Sequence, residues 1–333
     1  MKRWMQGALA LVVLAGGLRA DEAGVLKDLK FGTAEKREAA LDEVMAGKAP
    51  GAGKALLQVL SESQGTFRLR VVRALGLVRE DAAVRPLIEL LADPAIEIRT
   101  QAAKSLGSIA DPAAAPALAK ALGDSDVEVR EAAARALSAC GSAKDVDALK
   151  PLLKDGNRLV RMAAIGSIGR LGTASALPLL QEQMQDTDPS YKRVVVKAIG
   201  TLKGGADIDA SMAQWLADKD FYLRGFTAEA LAQRPANKAL EPALIRLLAD
   251  PNLGVRIRAI EALAAWKSKA AVPELLKDLR AEEPTLRWKA TQALGSIGDP
   301  SSREALTYVA QNDSEAEIKK AAATALLAFK GGR

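Results

Sequence analysis

The sequence predicts an all-α protein, a solenoid of about ten two-helix repeats behind a short export segment. Three observations predict it. The first is a basic residue that recurs at Arg37, Arg68, Arg99, Arg130, Arg161, Lys192, Arg224, Arg256, Arg287 and Lys319, in steps of 31 or 32 residues. The second is an apolar residue seven positions after each of these anchors, running from Val44 and Leu75 to Leu294 and Leu326. A fixed period in this range is the signature of stacked repeats, each burying its apolar faces against its neighbours. The third is local: helix-period apolar stripes fill the segments between anchors, and no segment alternates with the two-residue period of a strand.

Residues 1–20 stand apart from the repeats. Lys2 and Arg3 precede an apolar run from Gly7 to Leu18, which closes on Leu18-Arg19-Ala20. A basic start, a short apolar stretch and a small final residue predict a secretory signal peptide cleaved after Ala20. The run is shorter than the roughly 20 residues a bilayer core requires. An uncleaved anchor is the alternative, and both readings place the solenoid, residues 21–333, outside the cytoplasm, in the periplasm or secreted. No stable membrane insertion is expected once the segment is removed.

One repeat shows how the others are built. In residues 84–92, Leu87, Ile88, Leu90 and Leu91 form one apolar stripe of a first helix. Pro86 suits its first turn, where a missing N–H costs nothing. Asp93-Pro94 ends that helix as a turn. A second helix follows, with Ile98, Ala102, Ala103, Leu106 and Ile109 on one face and Gly107 near its end. Alanine dominates the second helices, favouring helix and close helix approach. Pro151 falls inside the first helix of its repeat, where it removes a backbone donor, and predicts a kink or a shortened helix there.

An acid stands six residues before most anchors: Glu62, Asp93, Asp124, Asp155, Asp186, Asp218, Asp250 and Asp313. Phe31 takes the place in the first repeat. Ala281 takes it before Arg287, with Glu282 or Glu283 as candidate substitutes. Such an acid can cap the free N–H groups of the second helix or reach an arginine of its own or the next repeat. The expected result is a structural ladder that includes Asp93, Arg99, Asp124, Arg130, Asp155, Arg161, Asp218, Arg224, Asp250 and Arg256. A group repeated so regularly belongs to the scaffold and not to catalysis.

The Asp-x5-Arg spacing, the proline of the first helix, the Leu106-Gly107 pair and the Gly-Asp-Pro turn at 298–300 resemble HEAT-like repeats, and the short period is most similar to the subtype of the phycobilin lyase subunits. The resemblance covers about residues 23–330. It implies a right-handed α-solenoid, a superhelix with first helices on the convex side and second helices on the concave side. It also implies a binding surface for a protein or peptide.

Composition removes several alternatives. There is no His and only one Cys, Cys140. Ser-His-Asp and Cys-His nucleophiles are therefore excluded, as are His-based or Cys-cluster metal sites. A HEAT-like di-iron hydroxylase relies on His-Glu pairs and is excluded on the same ground. No catalytic residue, metal or cofactor is expected. Residues 1–20 hold three basic residues and no acid, so their removal leaves 44 basic against 41 acidic side chains, net +3 in place of +6. That is too small an excess for a nucleic-acid partner such as the related DNA glycosylases engage.

Of the eleven aromatics beyond residue 20, seven lie between Tyr191 and Trp288, and the third to fifth repeats have none. Aromatic side chains concentrate binding energy at interfaces. Trp266 and Cys140 share a column ten residues after the anchor that elsewhere holds Val78, Ile109 and Leu202, and Trp215 aligns with Leu90 and Leu247. All three are expected in the core. Trp288, Ile257 and Met162 follow their anchors by one, where Thr100, Glu131 and Arg193 predict a solvent-facing column. Tyr222 precedes its anchor by two, beside Glu97 and Glu128. These four apolar residues at polar positions form the candidate partner-binding patch, the alternative being singly exposed apolar residues of the ordinary kind. The expected function is an exported, non-enzymatic scaffold or adaptor. A lyase-type enzyme subunit, a chaperone of a cofactor-bearing protein and a cell-envelope structural element are the alternatives.

Overall fold

A computed structural model describes residues 20–329. Apart from Ala20, the predicted signal peptide lies outside the described residues. The chain divides into two compact units at Leu171 and Gly172. The first unit holds five helix pairs: α1 (Ala20–Phe31) with α2 (Ala34–Met45), α3 (Gly53–Leu60) with α4 (Gly65–Val78), α5 (Val84–Glu89) with α6 (Ile96–Ile109), α7 (Ala115–Ala121) with α8 (Val127–Cys140), and α9 (Val146–Leu149) with α10 (Arg158–Leu171). The second holds five more: α11 (Leu177–Glu182) with α12 (Pro189–Thr201), α13 (Ala206–Trp215) with α14 (Phe221–Leu231), α15 (Glu241–Arg246) with α16 (Leu253–Ala265), α17 (Val272–Asp278) with α18 (Pro284–Ile297), and α19 (Arg303–Asn312) with α20 (Ala316–Ala328). Among the described residues there is no strand. One isolated parallel bridge joins Thr173 to Lys203. No described helix is long and apolar enough to cross a membrane.

The apolar residues seven positions after the anchors are the floor of the core, the last of them, Leu326, only half-buried. Val44, Leu75, Leu106, Leu137, Ile168, Ile199, Leu231, Leu263 and Leu294 are all buried, each removing roughly 1.5–3 kcal/mol worth of apolar surface from water. Pro151 has its predicted effect: α9 stops at Leu149, and residues 150–154 continue as a 3-10 helix.

Second helices of successive repeats approach closely because small residues face one another. A Cβ placed on Gly107 would lie 2.9 Å from Cα of Ala136, and one on Gly295 would lie 2.5 Å from Cβ of Ala325. Those separations are below contact distance, so glycine is required there despite its cost inside a helix.

The ladder exists, and each rung has two halves. Arg99 donates from Nε and Nη2 to both oxygens of Asp124, at 2.8 and 2.9 Å, while its Nη1 donates to the carbonyl of Asp93 at 2.9 Å. Arg130 repeats this with Asp155 at 2.8 and 3.2 Å and with the carbonyl of Asp124 at 2.8 Å. In the second unit Arg224 grips Asp250 at 2.6 and 2.9 Å, and Arg287 grips Asp313 at 2.9 and 3.1 Å. Each of these arginines thus holds the backbone of its own turn and the carboxylate of the following repeat, in the two-pronged geometry that guanidinium favours. Arg68 reaches Asp93 with one bond of 2.7 Å, and Nη1 of Arg161 holds the carbonyl of Asp155 at 2.8 Å.

Two expectations about the ladder are corrected. Glu62, Asp93, Asp124, Asp155, Asp250 and Asp313 take the arginine of the repeat before them, not the one after. Nor does the acid cap the second helix. Its Oδ1 accepts from the N–H two residues on, as Asp124 does from Asp126 at 2.8 Å, which shapes the turn. Capping falls to that next residue: Asp126, Asp188, Asp220 and Asn252 accept from helical N–H groups. Lys192, the one lysine among the middle anchors, reaches Asp220 at 3.4 Å and not Asp218.

The ladder carboxylates are tuned by these contacts. Hydrogen bonds from Arg130 and Arg287 hold Asp155 and Asp313 below the usual 3.8. Burial pushes Asp124 and Asp250 up, and the bonds from Arg99 and Arg224, with those from the turn N–H groups, bring both below 3.8.

Candidate functional site

The column ten residues after the anchor has a role that the sequence did not reveal. Sγ of Cys140 donates to the carbonyl of Leu106 at 3.4 Å. Nε1 of Trp266 donates to the carbonyls of Leu231 and Arg234 at 2.9 and 3.0 Å. Nη1 of Arg234 donates to the carbonyl of Gly200 at 2.7 Å. Each side chain donates to carbonyls at or just beyond the C-terminal end of the preceding second helix, and those of Leu106 and Leu231 also accept from the N–H groups of Ala110 and Arg234. Trp266 is therefore half-buried, not the fully buried core residue expected, because its ring lies over the end of α14. Cys140 and Trp215 are buried. Burial raises the Cys140 thiol to about 11, so it is not a reactive nucleophile.

The four patch residues divide between the units: Met162 lies on α10 of the first, and Tyr222, Ile257 and Trp288 lie on α14, α16 and α18 of the second. At Met162, Ile257 and Trp288 the column is not solvent-facing, although Arg193 and Lys320 in the same column are exposed. All three are half-buried, and Thr100 in the same column is buried. The position faces the seam with the next repeat. Trp288 shows this directly, lining a cleft of about 480 Å³ whose far wall is Lys320, Ala321 and Thr324 of α20. The Lys289 ammonium lies 5.2 Å from the Trp288 ring centre.

Tyr222 is exposed at 42%, and it is not isolated. Its ring centre lies 4.1 Å from that of Phe221 and 5.9 Å from that of Phe226. Phe226 in turn is flanked by the guanidinium groups of Arg193 and Arg258, at 5.9 and 5.8 Å from its ring centre. Glu229 ties both arginines together, at 2.5 Å to Arg193 and 3.4 Å to Arg258. Repeat register placed Tyr222 but left Phe221 and Phe226 unassigned. The signal available in the sequence was three aromatics within six residues of α14.

Sequence comparison now places the chain. The family model for HEAT repeats matches residues 53–138, 118–200, 210–277 and 241–327. This is a HEAT-repeat protein. Comparison with curated proteins gives no match. Among solved structures, an engineered protein is 22% identical, with 95% of this chain and 100% of that one covered and a TM-score of 0.47. The Escherichia coli protein YibA is 21% identical over 73% of this HEAT-repeat chain and 92% of its own, with a TM-score of 0.47. The CpcE–CpcF complex of phycocyanin lyase from Nostoc sp. PCC7120 is 22% identical over 74% and 94%, with a TM-score of 0.46. These are similarities of helical fold, and no activity follows from them.

Proposed function

We propose that this HEAT-repeat protein is an exported, non-enzymatic scaffold or adaptor, which holds a protein or peptide against the second helices of its second unit. The observation that carries this reading is the Phe221–Tyr222–Phe226 stack, with Trp288 two second helices further on. Aromatic side chains are the residues that most often anchor an interface. The first unit offers no aromatic between Phe67 and Leu171. The sequence itself argues against catalysis, since it has no His and its one Cys is buried with a raised thiol.

Affinity capture from an envelope fraction tests the reading, with wild type compared against a Tyr222→Ser, Trp288→Ala double variant. The same protein should be retained by wild type and lost by the variant, whereas equal retention by both sinks this choice of face. Export has its own test. The chain expressed in a Gram-negative host should be recovered from the periplasm about 20 residues shorter. Soluble cytoplasmic protein that still begins at Met1 would refute export.

A further inference from the structure

Between α12 and α14 lies a cleft of about 250 Å³, lined by Arg193, Lys197, Thr201, Phe226, Glu229 and Gln233 among others. Its charge arrangement differs from that of the two rungs that follow it. At the next two rungs of this unit, the residue five after one anchor pairs with the residue two after the next. Glu229 meets Arg258 at 3.4 Å, and Glu261 meets Lys289 at 2.5 Å. In each pair the acid comes first and the cation second. At the preceding rung the same two positions hold Lys197 and Phe226. The acid is replaced by a cation, and the cation by an aromatic ring. Lys197 is exposed and has no hydrogen bond or ion pair among the described residues. Beside it, Arg193 and Arg258 share one carboxylate, that of Glu229. The cluster therefore carries three cations against one anion.

We propose that this rung is completed from outside, by a carboxylate of an acidic peptide segment whose neighbouring apolar or aromatic side chain packs on Tyr222 and Phe221. The inference rests on the peptide-binding reading above and names the chemistry of the partner. Lys197 supplies the unpaired ammonium and Gln233 a side-chain amide. Phe226, 8% exposed and held between two guanidinium groups, forms an apolar wall. Such a wall lowers the local dielectric around Lys197 and strengthens an incoming charge pair. A basic segment is disfavoured by the same excess of cations.

The test uses the full chain and a phage-displayed random peptide library as the probe. Enriched peptides should carry Asp or Glu beside an aromatic or large apolar residue. Synthetic copies should bind Lys197→Glu about tenfold more weakly than the parent, and Lys197→Met, which removes only the charge, several-fold more weakly. Lys104→Glu, an identical charge change on α6 of the other unit, should leave binding unchanged. Enriched peptides that are basic or uncharged, or that bind Lys197→Glu as tightly as the parent, overturn the acidic-segment proposal while peptide binding survives. Equal weakening by Lys104→Glu overturns it too, as attraction by net charge alone. Tighter retention of a single-stranded oligonucleotide than of any enriched peptide likewise overturns it. No enrichment at all overturns both readings.

Discussion

Arg256 pairs with Asp278 at 2.7 Å, one helical turn before the position that the repeat assigns to its ladder acid. Ala281 occupies that position, and neither Glu282 nor Glu283 takes over, although both follow it directly. Asp278 reaches the arginine from the last turn of α17, where it is buried and grips it with one oxygen only. Its other oxygen, Oδ2, is buried without a hydrogen-bond partner. Burial pushes the Asp278 carboxyl above the usual 3.8, and the bond from Arg256 does not bring it back.

This rung should respond to pH in the opposite sense to the others. A carboxyl raised in the folded state adds stability when protonated, and that contribution is lost as pH rises through its folded value. A carboxyl held low, such as Asp313, adds stability above the unfolded value of about 3.8, and loses it as pH falls through the folded value. Melting curves from neutral pH down into the acid range should therefore diverge for two variants. The advantage of wild type over Asp278→Asn grows with acidity, and its advantage over Asp313→Asn shrinks. Parallel shifts of both variants would contradict the assignment.

Arg99→Lys should fail to substitute. Arg99 and Asp124 are each only 13% exposed in the pair, and one ammonium cannot reach both carboxylate oxygens and the Asp93 carbonyl together. Denaturant unfolding should register a loss of about 1–3 kcal/mol, the range for breaking a charge-assisted bond and leaving its partner poorly satisfied. Stability equal to wild type would show that the fork contributes nothing beyond charge.

Trp266→Phe keeps the ring and removes the N–H that serves the carbonyls of Leu231 and Arg234. A loss of about 0.5–1.5 kcal/mol is expected from the missing hydrogen bond, and amide exchange should quicken in the last turn of α14. A variant as stable as wild type, with unchanged exchange, would reduce Trp266 to packing alone.

Much of this was legible in the sequence, because a repeat states the same rule ten times. The anchors, the apolar column seven residues after them and the arginine–aspartate ladder all follow from spacing. What escaped was whatever depends on how one repeat lies on the next. The sequence places the column of Trp288 toward solvent because its members include Glu131 and Arg193. The seam between second helices half-buries it, and spacing within a repeat carries no information about that seam. Asp278 escaped for a related reason: a turn of helix can replace a sequence position when it delivers the carboxylate to the same point in space. Cys140, Arg234 and Trp266 share no chemistry by residue type, so their common use as caps appears only once their acceptors are in place.

The most direct test of the account is Trp288→Ala, with thermal stability and partner binding measured on the same preparation. Trp288 is half-buried at a seam, so its truncation should cost less than the roughly 3–5 kcal/mol of a fully buried tryptophan. As an anchor of the second-helix face, it should cost about 2 kcal/mol or more of binding. The account predicts a modest fall in melting temperature and at least a tenfold loss of affinity for the partner captured by wild type. A variant that unfolds readily yet, where folded, binds as tightly as wild type would contradict it.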